Sequence, residues 1–214
     1  MTDIAGTEPG TGIDALAGTF RRSIAERREE IVRLCADLVA ARSVNPPGDT
    51  RGVAAIVAAE LDRHGVPSRL EASDDTMPSV VAELDSGRPG KHLVLNVHMD
   101  TMPAGDVSAW SVPPYELTRT GGRLYGLGMG NMKGSVAAMI HAVRLLREHA
   151  PAWNGRVTFT AVSDEVVFGE HGAAHLLRTM PSLAADGMLC GEGPGYKRLS
   201  IGEKGVLWLR LDAV

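Results

Sequence analysis

The sequence holds only two cysteines, Cys35 and Cys190, in 214 residues. Two thiols so far apart make no disulfide framework, and a reduced intracellular chain is the simpler expectation. Aromatic residues are scarce at 4%, so a base-stacking platform would have few rings to build on. Positive charge is not in excess: 22 Lys and Arg face 26 Asp and Glu, a formal net charge of −4. That balance argues against a phosphate-backbone partner. No run approaches the roughly 18 apolar residues a membrane helix needs. Met1 to Gly12 also lacks the apolar core of a signal peptide. The expectation is a flexible tail, residues 1–12, on a cytoplasmic protein with neither a nucleic-acid nor a membrane partner.

What is present has ordinary globular composition, 44% hydrophobic and 22% charged, at a length that suits one domain. Leu16, Phe20, Ile24, Ile31, Leu34 and Leu38 recur mostly at three-, four- or seven-residue steps. That spacing predicts a long amphipathic helix or helix pair from Ile13 to Ala41, stopped by Asn45-Pro46-Pro47-Gly48. A second helix carries Val53, Ile56, Val57 and Leu61 and ends at Gly65. Strand-like runs follow at Ser79–Leu84 and His92–Val97, joined by a turn over residues 85–90. Beyond a loop with Pro103, Pro113 and Pro114 come a glycine-rich turn, a helix from about Met132 to His149 and a strand over Arg156–Val162. A helix over Gly172–Met180 and a short buried strand over Gly187–Cys190 complete the alternation. Strands alternating with helices predict a mixed, mainly parallel sheet covered on both faces. A last hairpin is expected around Gly202-Glu203-Lys204-Gly205.

Three apolar runs end on a potential metal ligand or acid. Leu93–Val97 leads into His98-Met99-Asp100, Val157–Val162 into Ser163-Asp164-Glu165, and Met188–Cys190 into Gly191-Glu192. In an open α/β sheet the carboxyl ends of the strands converge on the ligand crevice. In an extended segment His98 and Asp100 share a side, so Asp100 can orient the imaginable ligand His98 through its other ring nitrogen. The plain alternative is a solvated loop with an incidental acid. Glu165 suits a general base towards water on a metal, and Glu192 a carboxylate ligand, although paired loop acids are usually solvated and a lone acid often caps a helix. The stretch from Gly126 to Gly134 lacks the third Rossmann glycine and the Gly-Lys-Ser/Thr of a P-loop, so it reads as a turn delivering Asn131 as helix N-cap. His171 and His175 have the spacing of a zinc clamp on a helix but read better as exposed polar positions. Lys133 reads as solvated, Met129 and Met132 as core, and Cys190 as a buried strand residue and minor ligand candidate.

Taken together the motifs resemble a known family. Leu95 to Asp106 is similar to the first metal motif of the zinc-dependent aminoacylase, acetylornithine deacetylase, succinyl-diaminopimelate desuccinylase and glutamate carboxypeptidase family. Ser43-Val44-Asn45-Pro46-Pro47, Trp110, Pro113-Pro114-Tyr115, Gly122 to Gly126, Met132-Lys133-Gly134, Asp164-Glu165, Gly172-Ala173 and Gly202 to Gly205 fall in the same order. The resemblance covers about Ile24 to Val214. It implies a zinc-exopeptidase-like catalytic domain, of which this is the amino-terminal part, interrupted by a smaller lid or dimerisation domain. It also implies hydrolysis of amide bonds in N-acyl amino acids or small peptides by two zinc ions bridged by an aspartate and a water. The domain expectation is a tail over 1–12, a partial catalytic domain over 13–200, and over 201–214 the start of a lid or dimerisation domain.

By this resemblance His98 and Glu192 bind the first zinc, Asp100 orients His98, and Glu165 is the general base. The chain departs from the pattern in three places. Asn131 stands where the family has its bridging aspartate, Val166 stands where it has a carboxylate of the second zinc, and the family's last histidine falls beyond Val214. The surviving metal set is His98, Glu192 and the Asn131 oxygen. The implied cofactor is zinc, one ion rather than two, with cobalt or no metal as alternatives. The implied partner is a small N-acyl amino acid or peptide, with homodimerisation open. The competing functions are a non-catalytic binding or partner subunit and a fragment of a longer hydrolase.

Overall fold

The computed structural model describes residues 11–193, 195 and 197–202. The hairpin expected around residues 202–205, residues 1–10 of the tail and nearly all of 201–214 lie outside the described residues. The amphipathic stretch is a helix pair, α1 (Thr11–Glu26) and α2 (Arg28–Ala40), so helix begins two residues inside the expected tail. α3 spans Arg51–Arg63. The strands are β1 (Ser68–Glu71), β2 (Ser79–Asp85), β3 (His92–His98), β4 (Thr118–Thr120), β5 (Arg123–Tyr125), β6 (Arg156–Val162) and β7 (Gly187–Cys190). A π-helical turn, Met129–Lys133, runs into α4 (Gly134–Glu148), and α5 covers Ala173–Thr179.

The main sheet has the order β1-β2-β6-β3-β7, with β4 and β5 forming a separate small hairpin. β6, β3 and β7 run parallel, and β1 and β2 add antiparallel on one side. The mixed sheet expected from the alternation is therefore present. β2 and β3 are consecutive in sequence, yet β6 lies between them. The connecting turn wraps the start of β6 instead, with Ser86 N donating to Gly155 O at 3.0 Å and Arg156 N to Lys91 O at 3.0 Å. Side-chain alternation then sorts the core. Val80, Ala82, Leu84, Leu95, Val97, Val157, Phe159 and Ala161 face α2, α3 and α4, while Val81 and Val162 pack with Leu176 and Met180 on the α5 side. β1 escapes the sequence pattern because it is an edge strand without alternating burial.

β7 corrects one expectation. All four of its residues are exposed, Cys190 included, because it pairs only with β3 among the described residues. A short apolar run cannot by itself distinguish a central strand from an edge strand.

Cys35 is the buried thiol, and burial pushes it up from an ordinary value of 9.0 to about 11. Between those values the unfolded chain releases the proton while the folded chain keeps it, so stability falls as pH rises. Two pH units correspond to about 2–3 kcal/mol. In urea unfolding from pH 8 to 11 the wild type should lose stability relative to Cys35→Ala by about this amount. Parallel profiles would contradict it.

Candidate metal centre

β3, β6 and β7 end side by side, and their carboxyl ends carry the site. β3 closes with His98, which is 1% exposed. The chain stays extended through Asp100, with Met99 N donating to Val162 O at 2.8 Å. Beside it runs the segment before the two prolines: Thr101 N donates to Ser43 O and Asn45 N to Thr101 O, both at 2.9 Å. Ser43 Oγ donates to Met99 O at 2.7 Å.

Asp100 uses both oxygens. Oδ1 lies 3.3 Å from His98 Nδ1 and accepts from Glu165 N at 3.2 Å. Oδ2 accepts from Asn45 Nδ2 at 2.9 Å and from Val166 N at 3.0 Å. Burial opposes its ionisation, but His98, Asn45 and the Val166 amide outweigh burial and hold the carboxyl below its usual range. Asp100 thus orients an imidazole and also shapes the loop that carries Glu165.

That loop turns at Asp164, a non-glycine residue with φ +58°. Asp164 is buried; its carboxylate accepts from Asn45 Nδ2 at 3.1 Å and from His171 N at 3.1 Å. Gly169 closes the loop, its N–H donating to Asp164 O at 2.9 Å. A Cβ on Gly169 would fall 1.8 Å from Asp164 Oδ2, so only glycine fits there. Glu192 follows β7. The preceding Gly191 is held by its N–H to Asn96 O at 2.8 Å and by Ser135 Oγ donating to its carbonyl at 2.7 Å.

These anchors bring His98, Glu165 and Glu192 together, with one ligand atom of each within 4.8 Å of the others. Glu165 Oε2 is 3.5 Å and Glu192 Oε2 3.8 Å from His98 Nε2. Donors around a tetrahedral zinc at about 2.0–2.1 Å stand about 3.3–3.4 Å apart, so the spacing is close to that of a metal shell. Both ring nitrogens of His98 are buried and lack an aligned hydrogen bond; the 3.3 Å approach to Asp100 is an ion-pair distance only. A buried imidazole with an unsatisfied nitrogen facing two carboxylates fits a divalent cation. Burial works against protonation of His98, but Asp100, Glu165 and Glu192 outweigh it and raise its pKa in the metal-free chain. Cation uptake there competes with protonation of the imidazole.

The remaining expectations fare differently. Asn131 is no helix N-cap: it lies inside the π-helical turn, where its Nδ2 donates to Glu192 Oε1 at 2.9 Å. Val166 contributes its backbone amide to Asp100, and its side chain has no donor atom for a metal. His171 precedes α5 and meets Ser73 Oγ at 3.0 Å, and among the described residues it belongs to no metal-type cluster with His175. Met132 is buried and Met129 packs on the core, as their apolar side chains require. Lys133 is not solvated but 2% exposed, its Nζ donating to Leu38 O at 2.6 Å and Ala41 O at 2.8 Å. Burial pushes that amine down to about 8. Sequence reasoning attached no role to Asn45; its place before two prolines was the available signal, but its two carboxylate partners are distant in the chain.

A histidine and two carboxylates are thus gathered where parallel strands end, in an arrangement that could hold a metal ion. Comparison of the sequence with family models agrees: residues 94–207 match peptidase family M20/M25/M40, and the chain belongs to that family. Succinyl-diaminopimelate desuccinylase of Colwellia psychrerythraea is 32% identical over 144 residues, which are 65% of this chain and 35% of that protein. This chain thus spans about a third of the length of the curated relatives it matches. Among solved structures, the M20 family metallo-carboxypeptidase of Sulfolobus solfataricus superposes with TM-score 0.67 at 23% identity, over 78% of this chain and 38% of that one. Human carnosine dipeptidase 1 gives 0.65 at 25% identity, over 83% and 41%.

Proposed function

We propose that this chain is the metal-binding, amino-terminal part of a hydrolase acting on amide bonds of N-acyl amino acids or small peptides. The observation that carries this reading is the convergence of His98, Glu165 and Glu192 on one point at the strand ends. His98 Nε2 and Glu192 are the first ligands of one divalent ion, zinc rather than cobalt. Asn131 stands against Glu192 and supplies its side-chain oxygen as a third donor once its amide turns. A bound zinc would polarise the scissile carbonyl and acidify water beside it. Glu165 takes the proton from the attacking water and passes it to the leaving nitrogen, the task of a carboxylate within reach of both. Asp100 keeps His98 in the tautomer whose Nε2 is free. A cleft of about 630 Å³ lined by Trp110, Val112, Leu124, Tyr125, Met129 and Gly130 reaches the residue before Asn131 and offers room for a small substrate.

In this reading residues 13–200 are part of a catalytic domain, and 201–214 lead into a lid or dimerisation domain of a cytoplasmic enzyme. No described helix is long and apolar enough to cross a membrane. A second reading, a binding subunit that has lost turnover, is favoured by the apolar Val166 and the neutral Asn131. Chelator-treated protein reloaded with zinc separates the outcomes. About one tightly held zinc per chain is expected for a site with three protein donors. Zinc binding with release of amine from N-acyl amino acids selects the hydrolase over the binding subunit, and no zinc uptake refutes the metal reading.

A further inference from the structure

Lys133 is the one buried lysine or arginine among the described residues, and the proposed chemistry does not use it. Its ammonium sits on the carbonyls of Leu38 and Ala41. Leu38 lies in the last turn of α2, where carbonyls lack helical partners and a cation is favoured. α2 has no basic residue of its own in that turn. Lys133 supplies the cation from 95 positions away.

Both ends of this lysine touch parts that build the metal centre. Ala41 leads directly into Ser43 and Asn45, and Asn45 donates to Asp100 and Asp164. At the other end, Lys133 closes the π-helical turn that holds Asn131, its N–H donating to Gly128 O at 2.9 Å beside that of Met132 at 3.0 Å. The lysine stem lies over Gly128, which has φ +82°; a Cβ there would stand 3.2 Å from Lys133 Cδ and 2.7 Å from Thr101 Cγ2. Thr101 is itself paired with Ser43 and Asn45. One buried side chain therefore ties the end of α2, the segment of Asn45 and the turn of Asn131 into one unit.

We infer that Lys133 is a positioning residue that sets Asn131 against Glu192 and Asn45 against the two aspartates. The link to zinc rests on the function proposed above; the link to Asn131 and Asn45 does not. Lys133→Met keeps the aliphatic stem and removes the three N–H donors. Its test is the side-chain amide signals of Asn131 and Asn45 in the NMR spectrum of metal-free protein, together with the zinc dissociation constant. Both amide signals should move toward solvent-like positions, and zinc binding should weaken about tenfold, the lower end of the usual cost of losing a supporting contact. A folded variant that loses stability but keeps both amide signals unchanged would reduce Lys133 to a structural residue and overturn the inference. Should the methionine variant not fold, Lys133→Gln retains two N–H donors and is read in the same way, with smaller displacements expected and unchanged signals again decisive against it. If the wild type binds no zinc, the function proposed above fails while the amide signals still decide the role of Lys133.

Discussion

Alanine at His98 is expected to abolish zinc binding while leaving the chain folded. The imidazole is the only neutral-nitrogen donor of the cluster, and the carboxylates of Glu165 and Glu192 lie 3.5 and 3.8 Å from its Nε2. Without it only Glu192 and the Asn131 oxygen remain as donors beside Glu165, and a metal retained by them would exchange freely with solvent. Asp100→Asn makes the graded comparison. Asp100 meets His98 Nδ1, Glu165 N, Asn45 Nδ2 and Val166 N, and an amide can accept on one side only. Zinc affinity should fall about 10- to 100-fold, the range for losing an outer-shell partner. Each buried donor left unpaired should also cost about 1–3 kcal/mol of stability. Isothermal titration with zinc and urea unfolding read the two effects. If His98→Ala binds zinc as tightly as the wild type, the ligands have been misassigned.

The second large effect concerns the missing metal. Asn131→Asp combined with Val166→Glu places two carboxylates where the resemblance expects ligands of a second ion. Without metal the change is harmful: the hydrogen bond from Asn131 to Glu192 Oε1 at 2.9 Å becomes a contact between two carboxylates, and like charges so close resist ionising together. The chelated variant should therefore be less stable than the wild type. Zinc should reverse this by mass action, with about 2.7 kcal/mol regained at a free concentration of 100 times the dissociation constant. Metal analysis should rise from about one towards two ions per chain, given the ligand count a zinc site needs. Where turnover is measurable it should rise by about 10²- to 10³-fold, the usual worth of one stabilising contact to a developing oxyanion. A variant with unchanged zinc content and unchanged stability in zinc would show that Asn131 and Val166 do not flank the metal.

How much of this was legible beforehand differs from residue to residue. His98, Glu165 and Glu192 were legible because each follows an apolar run, and residues at the ends of parallel strands share an edge of the sheet. The partnership of His98 with Asp100 followed from two-residue alternation in an extended chain. Cys190 was misread because its run Gly187–Cys190 is apolar either way; exposure came from its place at the edge of the sheet among the described residues. Lys133 was misread for the opposite reason. A lysine after a turn normally points to water, and only two carbonyls 92 and 95 positions away give its ammonium a buried partner. Asn131 was read as a helix cap, since nothing local tells a capping asparagine from one whose amide reaches a carboxylate 61 residues further on.

The sequence by itself determined the longer helices and most strands of the main sheet, the strand ends that carry His98, Glu165 and Glu192, and the substitutions at Asn131 and Val166 that set this chain apart from the family pattern. Those features are encoded locally, by periodicity and by neighbours a few residues apart. Only the tertiary structure decided that β6 lies between β2 and β3, that β7 is an edge among the described residues, and that Asn45 reaches Asp100 and Asp164, 55 and 119 positions away. Strand order and buried polar pairing depend on which distant groups satisfy one another when water is excluded, and such partners leave no trace in a local window.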